Sequence, residues 1–170
     1  LLTLPPQIVD APIASVAAMD MDRLSRGMVK RHAARGGLDR NLKKINNHHN
    51  VFHMVIDLSI PKFLPREWVQ IVVWNWAADK KELTQVADSV EHDAFPEREE
   101  YLRAHTTALY KYKQETEVGG IPQTKVTYTV QVDIGGAIPK WVVNRQGVGQ
   151  LMYVIEHVPT SPTPPTNPPP

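Results

Sequence analysis

Val126-Thr-Tyr-Thr-Val-Gln-Val-Asp-Ile-Gly-Gly-Ala-Ile-Pro-Lys-Trp-Val-Val-Asn144 is the stretch that decides the fold. Val126, Tyr128, Val130 and Val132 alternate with polar residues, which is the period of a strand. Gly135-Gly136 interrupts it, and Pro139 suits the first turn of a helix. The spacing predicts a helix over 138–157, and a helix of that length needs a surface to lie on. Strands earlier in the chain supply it.

Working backwards, Lys125–Asp133 and Tyr101–Lys113 read as strands joined by a hairpin at Gly119-Gly120. Leu83–Val90 precedes them, then Trp68–Trp76, rich in β-branched and aromatic residues. Asp79-Lys80-Lys81 turns the chain between those two. Ser59–Pro65 holds two prolines and is a loop. Val51–Leu58 and Leu42–Asn46 are strands flanking the polar turn Asn46-Asn47-His48-His49-Asn50. Ile13–Lys30 is one helix or two short ones, ended by Arg35-Gly36-Gly37. Gln7–Asp10 is a short strand. A meander of about six strands followed by one long helix is an α+β arrangement: a curved antiparallel β-sheet wrapped around a long C-terminal α-helix.

The bulk numbers agree with one domain. The chain has 170 residues, 42% of them hydrophobic, enough for a core. Its formal net charge of +1 gives no reason to expect a nucleic-acid partner. Residues 20–44 carry eight Lys/Arg against three Asp, and residues 79–100 carry eight Asp/Glu against three basic residues. These are two solvated faces, or the first is a basic face for anionic lipid headgroups. The sequence has no cysteine, so disulfides and thiolate chemistry are excluded, and a cytoplasmic setting fits. No apolar run reaches the roughly 20 residues that span a bilayer. Residues 1–158 are read as the domain. Residues 159–170, rich in Pro, Thr and Ser, are read as a linker or disordered tail leading to a further domain.

Several of these segments resemble a known family. Asp133-Ile-Gly-Gly-Ala-Ile-Pro-Lys-Trp-Val-Val-Asn144 is similar to the end of the START (steroidogenic acute regulatory protein-related lipid-transfer) domain, and Leu64-Pro-Arg-Glu-Trp-Val69 to its loop-to-strand junction. Ser89-Val-Glu-His92 and Tyr101-Leu-Arg-Ala104 follow in the family's order. The likeness covers residues 40–158 well and residues 1–39 weakly. It implies a helix-grip fold of the broader SRPBCC superfamily, with a tunnel for one lipid-like molecule. It also implies a lid helix, Ile138–Val158 here, beside a gate loop, Ser59–Pro65 here. Sterol-binding members carry a buried arginine on the strand after that loop. The matching position is Val72, which argues against a sterol.

On that reading Val72, Trp74, Trp76, Arg103, Tyr128, Val130, Trp141, Val148 and Met152 line the cavity. The bland reading of the same residues is ordinary core. Tyr128 offers a phenol to a headgroup. Arg66 and Arg103 either pair with a carboxylate of the fold or meet a phosphate. Phe63 and Leu64 either anchor the gate loop or dip into a membrane. Gly147 and Gly149 each cost the helix about 1 kcal/mol relative to Ala, and either allow close packing against the sheet or mark a weak point where the lid bends. His48, His49 and His53 sit around a turn without nearby carboxylates, so no metal is expected. No cofactor and no catalytic residues are expected either.

The expected function is to bind one hydrophobic ligand for transfer or sensing, as a monomer that meets membrane surfaces transiently. A two-chain lipid with about thirty methylenes costs on the order of 20 kcal/mol to hold in water, and a tunnel removes most of that barrier. The alternatives are a regulatory ligand-sensing domain that controls a neighbour, and a helix-grip enzyme.

Overall fold

The computed structural model describes residues 1–136. The expected helix over 138–157 and the tail at 159–170 lie outside them. Among the described residues nine strands form one sheet and two short helices pack on it. The elements are β1 (Leu2–Thr3), β2 (Gln7–Val9), α1 (Ile13–Met21), α2 (Arg26–Ala34), β3 (Gly37–Asn46), β4 (His49–Ile56), β5 (Arg66–Trp76), β6 (Glu82–Ser89), β7 (Leu102–Arg103), β8 (His105–Val118) and β9 (Ile121–Asp133). The order across the sheet is β1-β9-β8-β6-β5-β4-β3, with β2 also on β9 and β7 on β5. All pairings are antiparallel except β5 with β7.

Local chemistry explains the turns. Asn46 Oδ1 accepts from the His48 amide at 2.8 Å, and Asp79 Oδ1 from the Lys81 amide at 3.0 Å. Each is a side chain imitating a backbone turn. Gly119 and Gly120 both have positive φ, 59° and 77°, as the tightest hairpin connection requires. Asp22–Ser25 divides the expected helical region in two. Ser25 caps α2 by accepting from the Met28 amide, and Arg31 and His32 in the last turn favour the negative end of its dipole.

Two of the expected strands differ in extent. β3 begins at Gly37, five residues before the expected Leu42. The expected strand Tyr101–Lys113 is two strands. Leu102–Arg103 pairs with the start of β5, and the chain crosses at Ala104 to become β8.

The core lies mainly on one face, termed inner. α1 covers part of it with Ile13, Val16 and Ala17, one stripe of the helix. Strand pairing sets side chains in rows across this face. Asn50, Val72, Ala87, Ala108 and Val130 form one row. Trp74, Gln85, Tyr110 and Tyr128 form the next, and Trp76, Leu83, Tyr112 and Val126 the third.

Candidate functional site

The inner face is built by parity. In β5 the even-numbered residues from Arg66 to Trp76 point to it and the odd-numbered ones away. The structure brings Val72, Trp74, Trp76, Tyr128 and Val130 together there, in one apolar cluster. Val72, Tyr128 and Val130 are buried, while Trp74 and Trp76 are only half-buried. The row through Val72 contains Ala87 and Ala108 between two valines. Small side chains there leave the floor lower than the aromatic row beside it. Phe52 and Met54 extend the apolar surface toward β3, and the guanidinium groups of Arg23 and Arg40 each lie 4.8 Å from the Phe52 ring centre.

A polar group sits within this surface. α1 ends by placing Asp20 over the sheet. Its Oδ2 accepts from Tyr112 Oη at 3.0 Å and from Gln85 Nε2 at 3.1 Å. The rings of Tyr110 and Tyr128 lie against each other, with centres 4.4 Å apart. Burial, then neighbouring Tyr128 and Asp20, pushes the Tyr110 phenol well above its usual range. Burial and the Asp20 carboxylate do the same to Tyr112, and burial raises Tyr128. All three therefore act as neutral phenols.

Arg66 connects two segments at one end of this face. It is 2% exposed and donates from Nε to the Ile134 carbonyl at 2.7 Å, from Nη2 to the Gly135 carbonyl at 3.4 Å, and from Nη1 to the Leu64 carbonyl. Its partners are thus main-chain oxygens at the end of the 59–65 loop and just past β9. Burial lowers its pKa from the usual arginine value. Phe63 lies beneath the same guanidinium, 5.9 Å from it, and is half-buried. Leu64 is 48% exposed. Gly135 has φ 66°, and a Cβ there would meet the Arg103 carbonyl at 3.1 Å, so the junction fits glycine alone without strain.

Arg103 is a correction. It was expected in the cavity, but it lies on the opposite face. β7 pairs in parallel with β5 so that Arg103 stands beside Glu67, and their ion pair at 3.1 Å holds it there. Glu67 Oε1 also accepts from His53 Nε2 at 2.9 Å and from Arg98 Nη2 at 2.8 Å. Phe95 stacks on the His53 ring, centres 4.6 Å apart. Together these bind the 90–104 segment over Val51, Val55 and Val69. Burial pushes the Glu67 carboxyl up. Hydrogen bonds from Arg98 and His53, with the charge of Arg103, outweigh this and hold it below the usual range. His53, read from sequence as part of a solvated turn, is 1% exposed. Among the described residues no group of three or more His, Asp or Glu is placed to hold a metal ion, and no helix is long and apolar enough to cross a membrane.

Trp141, Val148 and Met152, expected to line the cavity from the lid helix, lie outside the described residues, as do Gly147 and Gly149. The sequence reading missed Asp20, Asn50, Gln85, Tyr110 and Tyr112 on the inner face.

Comparison with known proteins follows the same lines. The START domain family model matches residues 40–161. No curated protein sequence matches the chain. Human STARD10 aligns over 90% of this chain at 18% identity with a TM-score of 0.64, and the chain spans 59% of that protein. Human StAR-related lipid transfer protein 5 aligns over 90% at 17% identity, TM-score 0.64, with 71% of its own chain covered. A STAR-related lipid transfer protein from Xanthomonas axonopodis aligns over 90% at 16% identity, TM-score 0.66, with 80% of its chain covered. At these identities the likeness shows the helix-grip fold.

Proposed function

The chain belongs to the START domain family, and we propose from that premise that it binds one lipid-like hydrophobic molecule against the inner face of the sheet, for transfer between membranes or for sensing. The observation that carries this reading is the inner face itself. Half-buried Trp74 and Trp76 stand beside a floor of Val72, Ala87, Ala108 and Val130, on a fold shared with proteins named for lipid transfer. Hiding an acyl chain there is worth roughly 0.8 kcal/mol per methylene, and that transfer needs no catalytic group. On this reading Val72, Trp74, Trp76, Tyr128 and Val130 form one wall of an internal cavity. Phe63 and Leu64 belong to the gate, and exposed Leu64 meets the membrane surface transiently while the protein remains a peripheral, cytoplasmic monomer.

Native mass spectrometry of the chain purified from cells tests the binding step. One co-purified lipid per chain is expected, and no lipid bound at micromolar concentration would overturn the reading. Liposome-to-liposome transfer then divides a carrier from a sensor. A carrier moves lipid catalytically, whereas a sensor binds it without net transfer.

A further inference from the structure

Among the described residues, the inner face has hydrogen-bond acceptors with nothing to accept. Gln85 is 0% exposed. Its Nε2 donates to Asp20 Oδ2 at 3.1 Å, yet its Oε1 is buried without a partner. Rotating the amide would set two acceptors face to face, so the carboxylate fixes which end is open. Asn50, 6% exposed and on the neighbouring row, also buries its Oδ1 unpartnered. A buried polar atom left unpaired is costly. Two of one kind on the face that takes the ligand indicate what the ligand brings.

Both open atoms are acceptors, so the missing partner is a donor. Gln85 is fully buried between Trp74 and Tyr110, where a charged donor would be desolvated at a cost that a hydroxyl or amide N–H avoids. A phosphodiester presents only acceptors at neutral pH and would leave Gln85 Oε1 unpaired. Resting on the lipid-binding reading above, we propose that Gln85 Oε1, backed by Asp20 and Tyr112 and framed by Trp74 and Tyr110, is the recognition site for an uncharged hydroxyl or amide N–H at the polar end of the bound lipid. Asn50 Oδ1 takes a second donor where the lipid has one. The site selects neutral, donor-bearing lipids over phosphatidylcholine, whose polar end has no N–H or O–H.

The test uses the full chain and three probes: a dioleoyl diacylglycerol, its O-methyl ether, and dioleoyl phosphatidylcholine, each in competition with a fluorescent fatty-acyl reporter. The alcohol is expected to bind at least about tenfold more tightly than the ether, the effect of leaving one buried acceptor unpaired. It should also bind more tightly than the phospholipid. Gln85→Leu should bring the alcohol-to-ether ratio close to one. The Gln85 side-chain amide resonance of the unaltered protein should move with the alcohol and stay with the ether, which decides the case even where the variant does not fold. Equal affinity for alcohol and ether, or tighter phosphatidylcholine binding, overturns the donor site and leaves lipid binding standing; equal affinity also means that a water satisfies Gln85. No displacement of the reporter by any probe, with no reporter binding, overturns both readings.

Discussion

Replacing Glu67 by Gln should separate the two faces of the sheet experimentally. The carboxylate is 2% exposed at its side chain and receives three groups: His53 Nε2, Arg98 Nη2 and Arg103 Nη2. Gln keeps the shape and one acceptor oxygen but removes the charge. Arg98 is 38% exposed, so water and salt replace most of what it loses, at most about 1 kcal/mol. Arg103 is different. It is 11% exposed, and among the described residues its Nε and Nη1 already lack partners. Without Glu67 its charge is buried and uncompensated, which costs about 3–5 kcal/mol. For a chain of this size each kcal/mol moves Tm by about 2–4 °C, so a fall on the order of 10 °C is expected. Urea and thermal denaturation measure it. Adding Arg103→Met should recover part of the loss, because the stranded charge goes with it. Lipid affinity should stay within about twofold, because Glu67 points away from the inner face. A Glu67→Gln variant within about 1 kcal/mol of the parent would show that the network is not holding a buried charge. A large loss of lipid affinity in a folded variant would show that the assignment of faces is wrong.

Three further outcomes follow from the same geometry. Arg66→Met removes the donors that tie Leu64 to Ile134 and Gly135, so stopped-flow lipid exchange should quicken by about tenfold, equivalent to roughly 1.4 kcal/mol; an unchanged rate would mean the tie does not limit exchange. Stability should fall on acidification. His32, lowered chiefly by burial, contributes stability above its unfolded value of 6.5 that is lost as pH drops through its folded pKa, and Glu67 behaves likewise below 4.5. Urea midpoints at pH 7, 5.5 and 4 should therefore decrease in that order, and a rise toward pH 4 would contradict both assignments. Leu64→Asp, at a side chain already 48% exposed, should leave lipid occupancy intact while slowing transfer between vesicles several-fold; equal transfer rates would remove Leu64 from the membrane contact.

Much of this was legible in the chain because the signals are local. The alternation in Trp68–Trp76 and Lys125–Asp133, the Gly119-Gly120 hairpin and the proline-bounded loop depend on nearest neighbours, and they placed the six long strands and five inner-face residues. What stayed hidden depends on register and on long-range pairing. Counting back from the hairpin, where Val118 faces Ile121, sets Tyr110 opposite Thr129. The irregularity between Glu115 and Val118 shifts the ladder by one, and Tyr110 meets Tyr128 instead. One residue of slip exchanges the two faces of a strand, so Tyr110 and Tyr112 could not be assigned from the turn. Asp20 reaches Gln85 and Tyr112 across 65 and 92 residues, with no local pattern to announce it. Arg103 misled for a related reason. Its odd number, where inner-facing Ala108, Tyr110 and Tyr112 are even, already sets it on the opposite face, but that parity could not be assigned while the register of β8 was unknown.

The division of burial along β5 shows where the sheet is held. Arg66, Glu67, Trp68, Val69 and Gln70 are all buried, covered on both faces, whereas Val73 is 41% exposed and Trp74 and Trp76 are half-buried. The strand is therefore held hardest at the end where Arg66 meets the 59–65 loop and the Gly135 junction. On the opposite face Val51, Val55 and Val69 are each at most 2% exposed, beneath a segment pinned through Glu67. That end of β5 is thus gripped from both sides: behind the sheet by the Glu67 carboxylate, which gathers His53, Arg98 and Arg103, and on the inner side by Arg66, which ties Leu64 to Ile134 and Gly135. The other end has no such anchor among the described residues: Trp74 and Trp76 rest on the apolar cluster of the inner face with part of each ring uncovered. A substitution at the Arg66 end therefore disturbs the packing of both faces at once, whereas one at Trp74 or Trp76 disturbs the inner face alone.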